Sequence, residues 1–194
     1  MRNEEKTSFF NVNGFKVANI KSLNKMASFG IGVWAGARYE NFNNAGVAHF
    51  AEHMFFKGTE NISWEKLDRE FAKCGANQNA FTSNDMVMYY ASFPEENNCR
   101  VIPLLNDMFF NATFPSDEME KERKVIMEEK RRSMDDPNSF FHNMIGDSLF
   151  QWWIGHDVLG EMDTIEVISR YDIIDFLNKR CNFETIMFIY SGNL

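Results

Sequence analysis

Five residues, His49-Phe50-Ala51-Glu52-His53, constrain this chain more than any other stretch of it. On a helix of 3.6 residues per turn, Val47, Phe50, Ala51, Met54 and Phe55 form a stripe that has to be buried against a core. His49, Glu52 and His53 fall on the opposite side. Histidines at i and i+4 are vertical neighbours, so their imidazoles can converge on one cation. Glu52 lies beside them, displaced around the helix, where it reaches a water on such a cation rather than the cation itself. The order is the inverse of H-E-x-x-H, and both orders put two ligands and one base on a single turn. The alternative is a surface helix that happens to carry two histidines and a glutamate.

A catalytic zinc takes three protein ligands and keeps one position open, so a third ligand has to come from elsewhere in the chain. The pattern predicts a long helix from Ser116, read as its cap, to about Met134, with Val125 and Ile126 marking the inward face. Glu122 and Glu129 are seven residues apart and lie within ~20° of each other on a helix. Both are expected on that apolar face, with Lys121, Lys124, Glu128 and Arg131 pointing away. Carboxylates on a core-facing stripe are costly unless compensated. Buried arginines would compensate them, or the stripe is merely the helix edge. A metal ion would satisfy one directly, and its histidine ligands need an outer acceptor that the other supplies.

The remaining pattern predicts a single α+β domain over residues 1–194. A hairpin, Thr7 to Val12 and Phe15 to Ile20 around Asn13-Gly14, opens the chain. Alternation predicts a strand from Phe29 to Ala35, whose glycines suggest close approach of a second backbone or a helix. Helices are expected over Gly46 to Lys57, ending at Gly58, and Ser63 to Cys74, with Ser63 as cap. Strands follow over Gln78 to Thr82 and Met86 to Phe93. Further helices are expected over Asn97 to Asn111, begun or kinked by Pro103, Ser139 to Trp152 and Asp172 to Lys179. Thr185 to Tyr190 reads as a last strand. There are no repeats and no linker.

Charge and composition narrow the function classes. Twenty basic and 28 acidic side chains give a net charge of -8, which disfavours phosphate backbones and anionic lipid. Neither nucleic acid nor a membrane is an expected partner. No run approaches the ~20 apolar residues of a span, and Met1 to Lys6 leads into no apolar leader segment. Cys74, Cys99 and Cys181 show no C-x-x-C pairing, which points to a reducing, cytoplasmic setting.

Three blocks of the chain resemble the pitrilysin and mitochondrial processing peptidase family, the inverzincins. They are Gly46-Val47-Ala48-His49-Phe50-Ala51-Glu52-His53-Met54-Phe55-Phe56-Lys57-Gly58-Thr59, Gly75 to Asp85 with its Asn79-Ala80-Phe81-Thr82, and Glu122 to Glu129. Ala35 to Glu40 and Tyr190 to Asn193 also fit, all in collinear order. The resemblance implies a mixed, largely antiparallel sheet with helices packed on it, one half of the pitrilysin-like (LuxS/MPP-like) metallohydrolase architecture. It implies one Zn2+ held by His49, His53 and Glu129, with Glu52 activating water and Glu122 as the carboxylate behind the ligands. Glu128 is the adjacent rival to Glu129. A peptide or unfolded protein substrate is expected to add as a strand along Asn79, Ala80 and Phe81. Family members pair two halves, so a homodimer or a partner subunit is expected to complete this one.

The function expected is therefore zinc-dependent endopeptidase; the alternative is a non-catalytic peptide-binding or assembly subunit that kept the fold. His142 and His156 read as helix-surface or loop histidines. Trp152-Trp153 reads as packing and Cys74 as core.

Overall fold

The computed structural model describes residues 7–150 and 155–193. Met1 to Lys6, Trp152 and Trp153 lie outside the described residues. Six strands form one sheet in the order β1-β2-β6-β3-β5-β4. They are β1 (Thr7–Val12), β2 (Phe15–Lys21), β3 (Met26–Val33), β4 (Asn77–Thr82), β5 (Val87–Pro94) and β6 (Ile186–Gly192). β1 and β2 are the expected hairpin, with Asn13 and Gly14 at φ 53° and 91° as a two-residue turn requires. β6 slots between β2 and β3, parallel to the first and antiparallel to the second. The other pairs are antiparallel, so the sheet is mixed and largely antiparallel.

Alternation decides which face is covered. In β5, Val87, Tyr89, Ala91 and Phe93 are buried while Met88, Tyr90 and Ser92 between them are half-buried. Phe29, Ile31 and Val33 of β3 join the same core. On the other face lie Gly30 and Gly32. A Cβ at Gly30 would sit 2.7 Å from the Met88 side chain, and one at Gly32 would meet Met86 and Met88. The nearest groups at both positions are the flexible ends of methionine side chains, which can move aside; the closest backbone atom is the Tyr89 carbonyl oxygen, 3.3 Å from a Cβ at Gly30. Close backbone approach occurs further on, at Gly36, where a Cβ would meet the Ser83 and Asn84 carbonyls.

Seven α-helices are described: α1 (Val47–Phe55), α2 (Trp64–Lys73), α3 (Asn98–Phe110), α4 (Ser116–Asp135), α5 (Pro137–Leu149), α6 (Met162–Val167) and α7 (Arg170–Arg180). α1 is the central one, touching β4, β5, α4 and α7. Its Val47, Phe50 and Met54 are fully buried. Gly58 at φ 104° follows its end.

Several boundaries differ from expectation for identifiable reasons. α4 starts at Ser116 itself, with Pro115 in the cap position and no side-chain cap. Ser63 likewise precedes α2 without a capping bond. α5 begins two residues early because Pro137 suits the first helical position and Asp136 accepts from the Ser139 amide at 2.8 Å. Pro103 lies inside α3 rather than beginning it. Val125 is exposed whereas Ile126 is fully buried; neighbours on a helix are 100° apart, and only Ile126 faces inward. α6, six residues long, was not expected at all.

Candidate metal centre

α1 and α4 bring three sequence-singled side chains together. One donor atom each from His49, His53 and Glu129 lies within 4.8 Å of the other two. Glu129 Oε2 is 3.8 Å from His49 Nε2 and 3.6 Å from His53 Nε2. These gaps exceed a normal hydrogen bond. The two rings stand edge to face with centroids 4.7 Å apart. Glu128 points elsewhere and pairs with Arg131 and Arg132, each at 3.6 Å.

Behind the rings, His53 Nδ1 is 3.0 Å from Glu122 Oε2 and donates to it, so its Nε2 is the nitrogen left facing the cluster, with a lone pair once that nitrogen has given up its proton. Glu122 is nearly buried and its other oxygen meets the Lys57 ammonium. Burial would raise this carboxyl, but bonds from His53 and Lys57 outweigh it and hold it below its usual range. Glu129, by contrast, is about half exposed, at the rim of the apolar stripe rather than within it. Burial works against protonating both imidazoles. It drives His49 down to about 4, aided by the neighbouring His53. At His53, the hydrogen bond to Glu122 and the nearby Glu129 carboxylate overcome it and carry the ring up to about 9.

Glu52 stands apart from the three-atom cluster and accepts a hydrogen bond from Thr82 Oγ1 of β4. Burial lifts its carboxyl above the ordinary range, against the pull of Thr82, which is the direction a proton carrier at neutral pH needs. An open cleft beside it is lined by Glu52, His53, Phe56, Lys57, Gln78, Asn79 and Glu122. Its far wall is β4, the last strand of the sheet, whose outer edge no described strand pairs. The Ala80 amide on that edge donates to Asn79 Oδ1 at 2.9 Å. The side chain of Phe81 turns to the sheet's other face and meets Tyr90 at 6.5 Å between centroids.

The family model described as Insulinase (Peptidase family M16) matches residues 16–152. The chain belongs to this family. A curated M16 relative, the mitochondrial-processing peptidase subunit beta of Rattus norvegicus, is 33% identical over 183 residues, 94% of this chain and 37% of its own length. An uncharacterized zinc protease of Bacillus subtilis is 30% identical over 185 residues, 94% of this chain and 45% of its own. Among solved structures, a protease from Helicobacter pylori shares the fold with a TM-score of 0.91 at 23% identity, covering 98% of this chain and 47% of that one. The chain thus spans less than half the length of these M16 relatives.

Sequence reasoning missed several groups around this cluster. Lys57 lies four residues after His53, a helical spacing that signals its approach to Glu122. Thr82 closes the Asn79-Ala80-Phe81-Thr82 block and, at period two from Ala80, shares its face. Glu40 closes the Ala35 to Glu40 block, but nothing local links it to His156. His156, read from sequence as a surface or loop histidine, is buried 3.0 Å from the equally buried Glu40. Distance along the chain hid the pair, since the two are 116 residues apart.

Proposed function

We propose that this chain is the metal-bearing half of a zinc endopeptidase acting on extended peptides. The observation that carries the reading is the convergence of two imidazole Nε2 atoms and one carboxylate oxygen at 3.6 and 3.8 Å. Ligand atoms about 2.0–2.2 Å from a tetrahedral ion lie roughly 3.3–3.6 Å apart, so the donor set fits a zinc ion with little adjustment. A neutral His49 and an ionised Glu129 are the protonation states a divalent cation needs, while His53, carried up to about 9, would release its Nε2 proton as the cation enters.

In this reading His49, His53 and Glu129 hold the ion, which when bound supplies Lewis acidity and lowers the pKa of water to about 7. Glu52 takes the proton of the attacking water and passes it to the leaving amine. Thr82 holds the carboxylate of Glu52 in place for both transfers. Glu122 and Lys57 fix the orientation of the His53 ring. A peptide laid along β4 pairs with its free edge, and the Ala80 amide exchanges its Asn79 partner for a substrate carbonyl. Because the chain matches under half of its relatives' length, a second half, from the same polypeptide, a second copy or a different subunit, is proposed to close the cleft.

The test is a quenched peptide assay on protein stripped with chelator and then reloaded. Activity that disappears on stripping and returns with stoichiometric zinc supports the reading; hydrolysis indifferent to chelator refutes it. The role of Glu122 gives a separate expectation. Glu122→Gln weakens the acceptor behind His53 and is expected to lower zinc affinity ~10–100-fold, read by competition with a chromogenic chelator. An unchanged dissociation constant would remove Glu122 from the metal's support.

A further inference from the structure

Two adjacent residues, His156 and Asp157, are tied to the helices that carry the proposed ligands, the first through Glu40 and the second directly. His156 Nε2 is 3.0 Å from Glu40 Oε2, with both side chains buried. That carboxylate in turn caps the start of α1, accepting from the Gly46 amide at 2.7 Å and the Ala48 amide at 2.8 Å. Ala48 immediately precedes His49. Asp157 Oδ2 meets the buried Lys130 ammonium at 2.9 Å and the Asn143 amide of α5 at 2.7 Å. Lys130 immediately follows Glu129.

The backbone around these two residues is seated just as closely. Gly160 packs on the start of α1 so tightly that a Cβ on it would lie 2.4 Å from the Ala45 carbonyl oxygen. Thr164 Oγ1 donates to that same carbonyl at 2.7 Å. Gly155 lies against α5, where its Cβ would be 2.5 Å from the Gly146 oxygen. The run from 155 to 164 therefore contacts the beginning of α1, the middle of α4 and the end of α5.

Buried ion pairs add little stability relative to apolar residues of the same volume, and their best-attested use is to fix one arrangement among several. Here the arrangement fixed is the separation of the residues flanking His49 and Glu129. We propose that His156 and Asp157 are positioning residues that set the spacing of the metal ligands across α1 and α4. The proposal rests on the zinc reading above, and goes beyond it by assigning the geometry of the centre to a segment outside the proposed ligand set.

The test uses cobalt(II), whose visible absorption reports ligand geometry independently of turnover. Two alterations are made in the whole chain: Lys130→Met with Asp157→Leu, which removes both buried charges together, and His156→Ala beside His156→Gln. The paired replacement is expected to keep the far-ultraviolet circular dichroism, bind cobalt at least ~10-fold more weakly and show shifted visible bands. His156→Ala is expected to do the same, and His156→Gln, which retains a donor toward Glu40, to recover most of the affinity. Should the paired replacement not fold, the His156 comparison decides alone. Native affinity and native bands in altered proteins, whatever their melting temperatures, would overturn the positioning role while leaving the zinc reading intact. An unaltered protein that takes up neither cobalt nor zinc would overturn both.

Discussion

Glu52→Gln is expected to bind a full equivalent of zinc and to lose ~10²–10⁴-fold in kcat, about 3–5 kcal/mol of transition-state stabilisation. The amide has nearly the shape of the carboxylate and can still meet Thr82 Oγ1, so the fold and the cleft have no reason to change. What disappears is the ability to accept a proton. Metal content by atomic absorption and turnover of a quenched peptide, measured on the same preparation, separate the two. A variant turning over within a few-fold of wild type would show that another group carries the proton. A variant devoid of metal would instead place Glu52 among the ligands.

Glu129→Ala is the second large effect. It removes the one carboxylate oxygen facing both Nε2 atoms and leaves two imidazoles, one of which burial holds neutral. Loss of a group behind a ligand costs ~10–100-fold in affinity; loss of a direct ligand is expected to exceed 100-fold. Chelator competition on Glu129→Ala, Glu128→Ala and wild type gives the answer in one series. Glu128 is engaged with Arg131 and Arg132, so its replacement is expected to leave affinity within about twofold. The reverse outcome, metal lost from Glu128→Ala and kept by Glu129→Ala, would move the third ligand by one residue.

What could be read from the sequence was what lies within a turn or two of one element. The i, i+4 histidines and the apolar stripe behind them are both local to α1, and so is the seven-residue step from Glu122 to Glu129 on α4. The hairpin turn at Asn13-Gly14 is local as well. Errors arose where the deciding partner sits on another element. Gly30 and Gly32 admit the Met88 side chain of a neighbouring strand, which no pattern within β3 reveals. Val125 looked inward because it is apolar, yet α4 packs on α1, α5 and α6, and of the two residues only Ile126 is buried. The Glu40–His156 pair joins residues in two loops, where no periodicity exists to mark either. α6 spans fewer than two turns, too few for a stripe to emerge.

The depth at which α1 is set has a consequence for how the centre is assembled. Val47, Phe50 and Met54 belong to the core that the whole chain forms on folding, so the two histidines are fixed by the same event that buries the sheet. Small zinc modules collapse without their ion because loading and chain ordering are one transition. In this chain the helices that carry the proposed ligands are packed by the core itself, so under the zinc reading loading is expected to need the parting of Glu129 from His53 more than any ordering of backbone.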